Sequence, residues 1–151
     1  MRALIQRVKQ SSVVVDQKTH SSIRHGLLIL LGVRNGDTGD DAVAVAEKCV
    51  ALRIFEDRDG KMNLSVRDVG GEVMIVSQFT LYGDTRRGNR PSFTEAAPPA
   101  IAESLYERFI GEMKRLLGED RVRSGVFRAQ MDVELVNDGP VTIEVESKGR
   151  N

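Results

Sequence analysis

The apolar run from Gly26 to Val33 constrains the fold more than any other feature of the chain. Its eight residues, Gly-Leu-Leu-Ile-Leu-Leu-Gly-Val, include no polar side chain. A strand of this composition has to be covered on both faces, as a central strand is in a layered protein. The run is too short to cross a bilayer, and no other window of the chain approaches a membrane span. We therefore expect a buried central strand and no membrane partner.

Other apolar segments predict strands that accompany the central one. Residues 3–8 and 12–16 indicate two strands joined by a polar step at 9–11. The four apolar residues 73–76 follow the turn signal Gly70-Gly71 and indicate another buried strand. We expect these strands to contribute to the same β core.

The last third of the chain has the clearest alternating pattern. Apolar residues alternate with acidic or polar ones over 131–135 and again over 141–146. This period of two is typical of half-buried strands. Asn137-Asp138-Gly139-Pro140 lies between the two segments, and each of these residue types favours turning. On local grounds the pattern predicts two strands joined by a hairpin loop.

Two longer apolar patterns predict helices. Asp40 can cap a helix that runs to about Arg53, and Pro98-Pro99 opens a second helix to about Leu117. With the strands, these helices indicate an α/β mixed fold, a single domain over residues 1–151. We expect a barrel-like or two-sheet β core covered by two main helices, with a short polar tail near 147–151.

Composition limits the classes of partner. The 151 residues carry 22 Lys and Arg against 22 Asp and Glu, so the formal net charge is zero. Extended electrostatic binding to the phosphates of DNA is therefore not expected, whereas contact with one end of an RNA is compatible with this charge. Cys49 is the only cysteine and lies on the apolar arc of the first helix. We expect a core thiol, no internal disulfide and a cytoplasmic location.

No pattern indicates a metal or cofactor site. His20 and His25 lie in a polar stretch that lacks the further ligands of a zinc site. Residues 57–61 begin like a calcium loop, but the later ligands are missing, so we interpret them as a plain turn. No glycine-rich phosphate fingerprint follows a predicted strand. We expect neither a metal ion nor a cofactor.

The polar residues that follow strand 73–76 are the first candidate for chemistry. Ser77-Gln78-Phe79-Thr80 lies where the strand ends, and backbone N–H groups that leave a ladder can bind a developing negative charge. An ordinary strand end, with hydroxyls that satisfy the turn, has the same signature. These residues alone leave both interpretations open.

A second candidate is the loop that contains Arg86, Arg87 and Arg90. Guanidinium groups bind phosphates in forked geometry, which favours an anion-binding role. A solvated surface loop explains the same residues equally well. The charge pattern does not decide between the two.

Two separated motifs resemble those of the D-aminoacyl-tRNA deacylase family. They are Ser77-Gln78-Phe79-Thr80-Leu81 and Asn137-Asp138-Gly139-Pro140-Val141-Thr142. The likeness continues along nearly the whole chain, through residues 4–8, 60–63 and 87–93. Two motifs in the right order and spacing form a strong signal, whereas either one alone would be weak.

The resemblance implies an editing hydrolase for chiral proofreading in translation. Such an enzyme cleaves the ester between a D-amino acid, or glycine, and the 3′ end of tRNA, and it spares L-aminoacyl-tRNA. It also implies a homodimer with active sites at the subunit interface, where a cis Gly-Pro motif enters the partner's site. The implied catalytic residues are Ser77, Gln78, Phe79 and Thr80. The implied residues for substrate binding and chiral selection are Gly139, Pro140, Arg7 and Asn137, with Arg7 holding the Gly-Pro motif.

Three alternatives follow for the activity. The resemblance favours assistance by the 2′-hydroxyl of the terminal adenosine, with the N–H groups of Phe79 and Thr80 as an oxyanion hole. A conventional esterase would use Thr80 as nucleophile, with Asp84 as the nearest base, although an unactivated hydroxyl is a weak nucleophile. The third alternative is a non-catalytic dimeric module that binds RNA ends.

Overall fold

The apolar run forms a central strand of a six-stranded sheet in the computed structural model, which describes residues 1–148. The strands are β1 (Arg2–Val15), β2 (Lys18–Ile23), β3 (Gly26–Gly32), β4 (Phe55–Glu56), β5 (Met62–Leu64), β6 (Glu72–Ser77), β7 (Val122–Ser124) and β8 (Asp132–Glu146). The helices are α1 (Gly39–Ala51) and α2 (Pro99–Leu117), with short 3₁₀ helices at Phe79–Tyr82 and Glu119–Arg121. Residues 149–151 of the expected polar tail lie outside the described residues.

The sheet is a nearly closed barrel. Its strand order is β2-β1-β3-β6-β7, and β8 pairs with β1. β3, β6 and β7 run parallel to one another, whereas β1 is antiparallel to β2, β3 and β8. The Ser21 hydroxyl of β2 donates to the Ser124 carbonyl of β7 at 2.8 Å, which joins the two ends of the sheet. β4 and β5 form a separate small hairpin. The expected α/β architecture with a barrel-like core is confirmed.

Both faces of β3 are covered, which explains its uninterrupted apolar sequence. Leu27, Ile29 and Leu31 pack into the core between the sheet and the two helices. Leu28 faces the other way, into a smaller cluster inside the barrel with Met74. A fully apolar strand is stable here because side chains on alternate positions enter different cores. The expectation of a central strand is therefore confirmed.

The prediction of two separate N-terminal strands is wrong, because Arg2–Val15 is a single strand. The polar residues at 9–11 do not interrupt it. Ser11 pairs with Ile23 of β2 on one side and with Leu135 of β8 on the other. The Ser11 side chain is buried, and its hydroxyl donates to the Glu134 carbonyl at 2.8 Å. Pairing on both edges satisfies this polar segment inside the sheet.

The C-terminal hairpin prediction is also wrong. β8 runs in one direction from Asp132 to Glu146, and both of its halves pair with β1. The turn-forming residues 137–140 make a local irregularity in the ladder, where the register shifts around Val8 of β1. The strand therefore bulges at Asn137-Asp138-Gly139-Pro140 and continues, rather than reversing.

The two helices lie close to their predicted positions. α2 spans Pro99–Leu117, as predicted. α1 is capped by Thr38 rather than by Asp40, because Asp41 completes a capping box with Thr38. It ends at Ala51, just before the predicted Arg53. Cys49 on this helix is fully buried, as expected. Among the described helices, none is long and apolar enough to cross a membrane.

Candidate functional site

Ser77 and Gln78 end the central parallel pair of strands. Ser77 lies opposite Leu31 in the last registered position between β3 and β6. The Gln78 N–H then donates to the Leu31 carbonyl at 2.8 Å, and the chain turns into the 3₁₀ helix Phe79–Tyr82. The predicted strand end is confirmed, and the short helix that follows it starts at the carboxyl edge of the sheet. Ligands of α/β sheets commonly bind at this edge.

The short helix begins with two N–H groups that have no acceptor within the helix. Its first turn is closed by the Leu81 N–H, which donates to the Gln78 carbonyl at 3.2 Å. The preceding N–H groups, those of Phe79 and Thr80, occupy the first positions of the helix, where no earlier carbonyl can accept from them. Both residues are exposed. This pair of donors is suited to an oxyanion.

The Thr80 hydroxyl accepts a hydrogen bond from the Gln78 side-chain amide. An amide donor of this kind cannot remove a proton from the hydroxyl, so it does not activate Thr80 as a nucleophile. The contact instead fixes both side chains across the start of the short helix. Ser77, Gln78, Phe79 and Thr80 thus lie together, from the last residue of β6 to the start of the short helix.

Asp84 does not have the properties of a general base. Both of its carboxylate oxygens accept from the Arg86 guanidinium, at 2.9 and 2.8 Å. This forked contact, with the Arg86 N–H at 3.0 Å, lowers the pKa of Asp84 to about 2. A general base works best with a pKa near the operating pH. The geometry therefore gives no support to a Thr80–Asp84 esterase.

The Gly139-Pro140 motif forms the exposed tip of the bulge in β8. Its peptide bond is cis, as the family resemblance implies, and Gly139 has a φ of +136° that L side chains rarely adopt. A Cβ atom at Gly139 would lie 2.8 Å from a methyl group of Val141. Both the backbone conformation and the available space therefore call for glycine at this position.

Arg7 of β1 holds the base of this bulge through hydrogen bonds to backbone carbonyls. Its Nε donates to the Asp138 carbonyl at 2.9 Å, and its Nη1 donates to the Ile54 carbonyl at 2.7 Å. The residue is only 6% exposed. Its charge faces Glu56 at 3.9 Å and the Asp138 carboxylate at 3.6 Å. The contact that the resemblance implied between Arg7 and the motif is present.

Asn137 stabilises the bulge from within. Its side-chain oxygen accepts from the Val141 N–H at 2.8 Å, and its amide donates to the Thr142 hydroxyl at 3.1 Å. Both partners are on the far side of Gly139-Pro140. Asn137 therefore closes the loop around the motif, through side-chain hydrogen bonds that stay within β8.

The sequence did not indicate every residue around the motif. His25 Nε2 lies 3.5 Å from the Asp138 carboxylate, and its ring meets the edge of Phe55 at 5.2 Å. Ile54 and Glu56 contribute a carbonyl and a carboxylate to Arg7. Ile54 lies in the α1–β4 connection, Phe55 and Glu56 form β4, and His25 lies in the β2–β3 turn. Of the residues in these contacts around Arg7 and the motif, the sequence indicated only Asp138, because it lies inside the motif, and Arg7, through the family resemblance.

The two groups of candidate residues lie apart in one chain. Arg7, next to the bulge, lies opposite Leu27 of β3, whereas Ser77 lies opposite Leu31 of β3. These two positions across the strands are called the Leu27 row and the Leu31 row. Four residues of strand separate the rows by about 13 Å, and β8 is three strands away from β6. The geometry brings the members of each group together but does not bring the two groups into one site within a protomer.

A family model described as D-Tyr-tRNA(Tyr) deacylase matches residues 4–146. The chain belongs to the D-Tyr-tRNA(Tyr) deacylase family. A D-aminoacyl-tRNA deacylase from Thermotoga petrophila is 58% identical over 147 residues, 97% of each chain. One from Desulfatibacillum aliphaticivorans is 57% identical over 148 residues, 98% of this chain and 100% of the relative. Membership in this deacylase family makes the chain a hydrolase, and the family predicted from the motif pair is confirmed.

Two solved structures have the same fold as this chain. The c-Myc DNA Unwinding Element Binding Protein matches with a TM-score of 0.94 at 39% identity, over 99% of this chain and 100% of that one. A probable eukaryotic D-amino acid tRNA deacylase matches with a TM-score of 0.79 over 95% of this chain and 98% of that one. Its sequence identity is 17%, so this second likeness concerns the fold alone.

Proposed function

We propose that this deacylase hydrolyses the ester between a D-amino acid and the 3′-terminal adenosine of tRNA, and that it spares the L-aminoacyl ester. The observation that carries the proposal is the pair of N–H groups at Phe79 and Thr80, two exposed residues at the start of the short helix. The family membership and the names of the bacterial relatives support the same substrate class. Mischarged glycyl-tRNA is a second substrate, because glycine has no side chain to exclude.

The two N–H groups act on the acyl carbon of the ester. Water adds to this carbon, the carbonyl oxygen becomes an oxyanion, and the N–H groups of Phe79 and Thr80 donate to it. The bond to the ribose 3′-oxygen then breaks and this oxygen takes up the proton given up by the attacking water, so a free amino acid and a tRNA with a 3′-hydroxyl are released. In this proposal the adjacent 2′-hydroxyl of the RNA assists the reaction, which is why no acid–base pair of the protein is required.

Selection against L-amino acids is assigned to the Gly139-Pro140 segment. Backbone carbonyls at the tip of the bulge can accept hydrogen bonds from the ammonium group of the substrate. The rigid backbone then occupies the space that an L side chain would need, so selectivity comes from exclusion. Arg7 and Asn137 support this role because Arg7 holds the Asp138 carbonyl from β1 and Asn137 closes the loop within β8.

The site is proposed to form between two subunits of a homodimer. Within one chain the bulge and the short helix lie at different rows of the sheet and three strands apart. A second copy can place its bulge over the short helix, which would complete the site without distorting the fold. The homodimer thus supplies catalytic residues from one subunit and the selecting segment from the other.

A mixed dimer tests this arrangement. Phe79→Pro removes one N–H donor, and Gly139→Val places a side chain where the backbone has a φ of +136°. We expect each homodimeric variant to lose activity. A mixed dimer of the two, isolated with two affinity tags, should regain activity, because one of its sites combines an intact helix with an intact bulge. A folded mixed dimer as inactive as its parents would contradict a site shared between subunits.

The mixed dimer also separates the alternatives. A conventional esterase built from Thr80 within one chain does not use the distant bulge, so it predicts that the Gly139→Val homodimer stays active, and it predicts cleavage of simple esters without RNA. A non-catalytic RNA-end module predicts no ester cleavage by the unmodified protein at any concentration. Only the shared RNA-dependent site predicts both activity on the tRNA ester and its recovery on mixing.

A further inference from the structure

The loop from Asp84 to Phe93, here called the arginine loop, has an ordered base beside the short helix. The Asp84 N–H donates to the Ser92 carbonyl at 2.7 Å, and the Ser92 N–H donates to the Asp84 carbonyl at 2.9 Å. This pair of backbone bonds closes the loop as an isolated antiparallel bridge. The side chains of the loop therefore project from a fixed frame.

The arginine loop has more positive charge than its own carboxylate can neutralise. It contains three arginines and one acidic residue, Asp84. Arg86 takes both oxygens of Asp84 in the forked contact described above. Arg87 and Arg90 are exposed, and within the described part of the chain neither makes an ion pair or a side-chain hydrogen bond. The guanidinium groups of Arg87 and Arg90 are thus free, while Arg86 is bound to Asp84 at the base of the loop.

The loop adjoins the place where the ester would react. The ring of Phe93, at the end of the loop, meets the ring of Phe79 edge to face, with centroids 5.1 Å apart. Gly83 lies so close to Phe93 that an added Cβ would be 3.0 Å from the ring. A cleft lined by Asp84, Arg86, Arg87 and Ser92 opens beside this contact. A chain that leaves the short helix in this direction would pass the free guanidinium groups.

We propose that the arginine loop binds the phosphodiester groups of the single-stranded RNA that leads to the terminal nucleotide, with Arg87 and Arg90 as the contacts. Guanidinium groups match phosphate oxygens in charge and in forked geometry. Arg86, Arg87 and Ser92 of this cleft are exposed, which suits a strand that passes across the surface rather than an enclosed mononucleotide. This inference rests on the proposed function, because it takes the 3′ end of an RNA as the ligand of the neighbouring helix.

The proposal explains how a chain without net charge holds RNA. The formal charge of the whole protein is zero, so long-range attraction does not distinguish RNA from other ligands. A local pair of arginines next to the reaction site binds only an RNA whose end is already correctly placed. The loop therefore contributes to recognition of the RNA strand and leaves recognition of the amino acid to the bulge.

The double variant Arg87→Gln/Arg90→Gln tests the assignment with two substrates. One is D-tyrosyl-tRNA, and the other is 3′-O-(D-tyrosyl)adenosine, which has no phosphate. We expect the ratio of kcat/KM for the tRNA to kcat/KM for the adenosine ester to fall roughly tenfold. Lys48→Gln/Arg108→Gln is the matched control, because it removes two exposed cations from α1 and α2. The ratio for this control should match that of the unmodified protein.

Binding of an uncharged acceptor-stem RNA with a free 3′ strand keeps the test independent of hydrolysis. Its dissociation constant is measured by fluorescence anisotropy between 50 and 200 mM salt. The slope of log affinity against log salt should become shallower by about 1 to 1.5 in the double variant, as expected for two lost phosphate contacts on a single strand. The same slope in the double variant, the control and the unmodified protein would overturn the proposal.

The two measurements separate a failure of this proposal from a failure of the proposed function. If the unmodified protein cleaves neither ester, the proposed activity fails, and the RNA-binding slope alone decides the role of the loop. If it cleaves both esters and the substrate ratio does not change in a folded double variant, the phosphate site is wrong while the deacylase function stands.

Discussion

The Nε atom of Arg7 donates a hydrogen bond to the Asp138 carbonyl at 2.9 Å and thereby joins β1 to the bulge of β8. The same guanidinium donates to the Ile54 carbonyl at 2.7 Å, so one buried cation links three separate segments. A buried charge is stable only when its donors are satisfied. Arg7 therefore couples the stability of the fold to the orientation of Gly139-Pro140.

Replacing Arg7 by lysine keeps the charge but removes the planar fork that reaches both carbonyls. We expect the free energy of unfolding to fall by about 1–3 kcal/mol, because a buried carbonyl loses its partner. Chemical denaturation at one fixed protein concentration measures the change. Arg53→Lys is the control, since Arg53 also makes two hydrogen bonds to Asn63 but is exposed. Equal losses in both variants would contradict a special role for the buried fork.

Phe79→Pro tests whether a backbone N–H carries the chemistry. Proline is tolerated at the first position of a helix, but it has no N–H to offer an oxyanion. We expect kcat on D-tyrosyl-tRNA to fall by about 100- to 1000-fold. Phe79→Ala and Thr80→Ala keep both N–H groups and should retain most of the activity. A folded, RNA-binding Thr80→Ala protein without activity would show that the hydroxyl is the essential group.

Asp84 should titrate well below other carboxyl groups of the protein. Arg86 favours its ionised form, so the pair is intact above the ordinary pKa range and is lost as the pH falls through about 2. A carbon NMR titration of the Asp84 carboxyl group should give a midpoint near this value. In Arg86→Gln the midpoint should return toward the usual value for aspartate. An ordinary midpoint in the unmodified protein would contradict the forked contact.

Cys49 should be inert while the chain is folded. Burial raises the pKa of its thiol to about 12, so almost no thiolate exists at pH 8. A thiol reagent at pH 8 should react only after denaturation. Because the unfolded thiol ionises at lower pH than the folded one, stability should also fall as the pH rises above about 8.5 toward 12. Cys49→Ala should lack this contribution, and rapid labelling of the native protein would contradict the burial.

The fold was predictable wherever one residue type decided the structure. The apolar run 26–33 predicted the central strand, and Pro98-Pro99 predicted the start of α2. The two errors with the largest effect both concerned long strands, where polar or turn-forming residues were interpreted as breaks. Ser11 and Asn137-Asp138-Gly139-Pro140 remain inside strands because β1 and β8 satisfy each other across the ladder. Such partners are distant in the sequence, so local patterns could not show them.

The candidate site was predictable only from the resemblance of its two motifs. Local patterns left Ser77 to Thr80 open between an ordinary strand end and an anion-binding turn, and they favoured a hairpin at Gly139-Pro140. The resemblance indicated Arg7, but not the Ile54 carbonyl or the His25 side chain, which the folding of separate segments brings to the bulge. The distance between the two motifs within one chain likewise depends on strand order, which the sequence did not reveal.

Hydrolysis of matched D-tyrosyl-tRNA and L-tyrosyl-tRNA by the purified protein tests the central claim most directly. The proposed function predicts rapid release of D-tyrosine and an L-tyrosyl ester that decays no faster than in buffer. Cleavage of neither ester by folded protein, or equal cleavage of both, would contradict it.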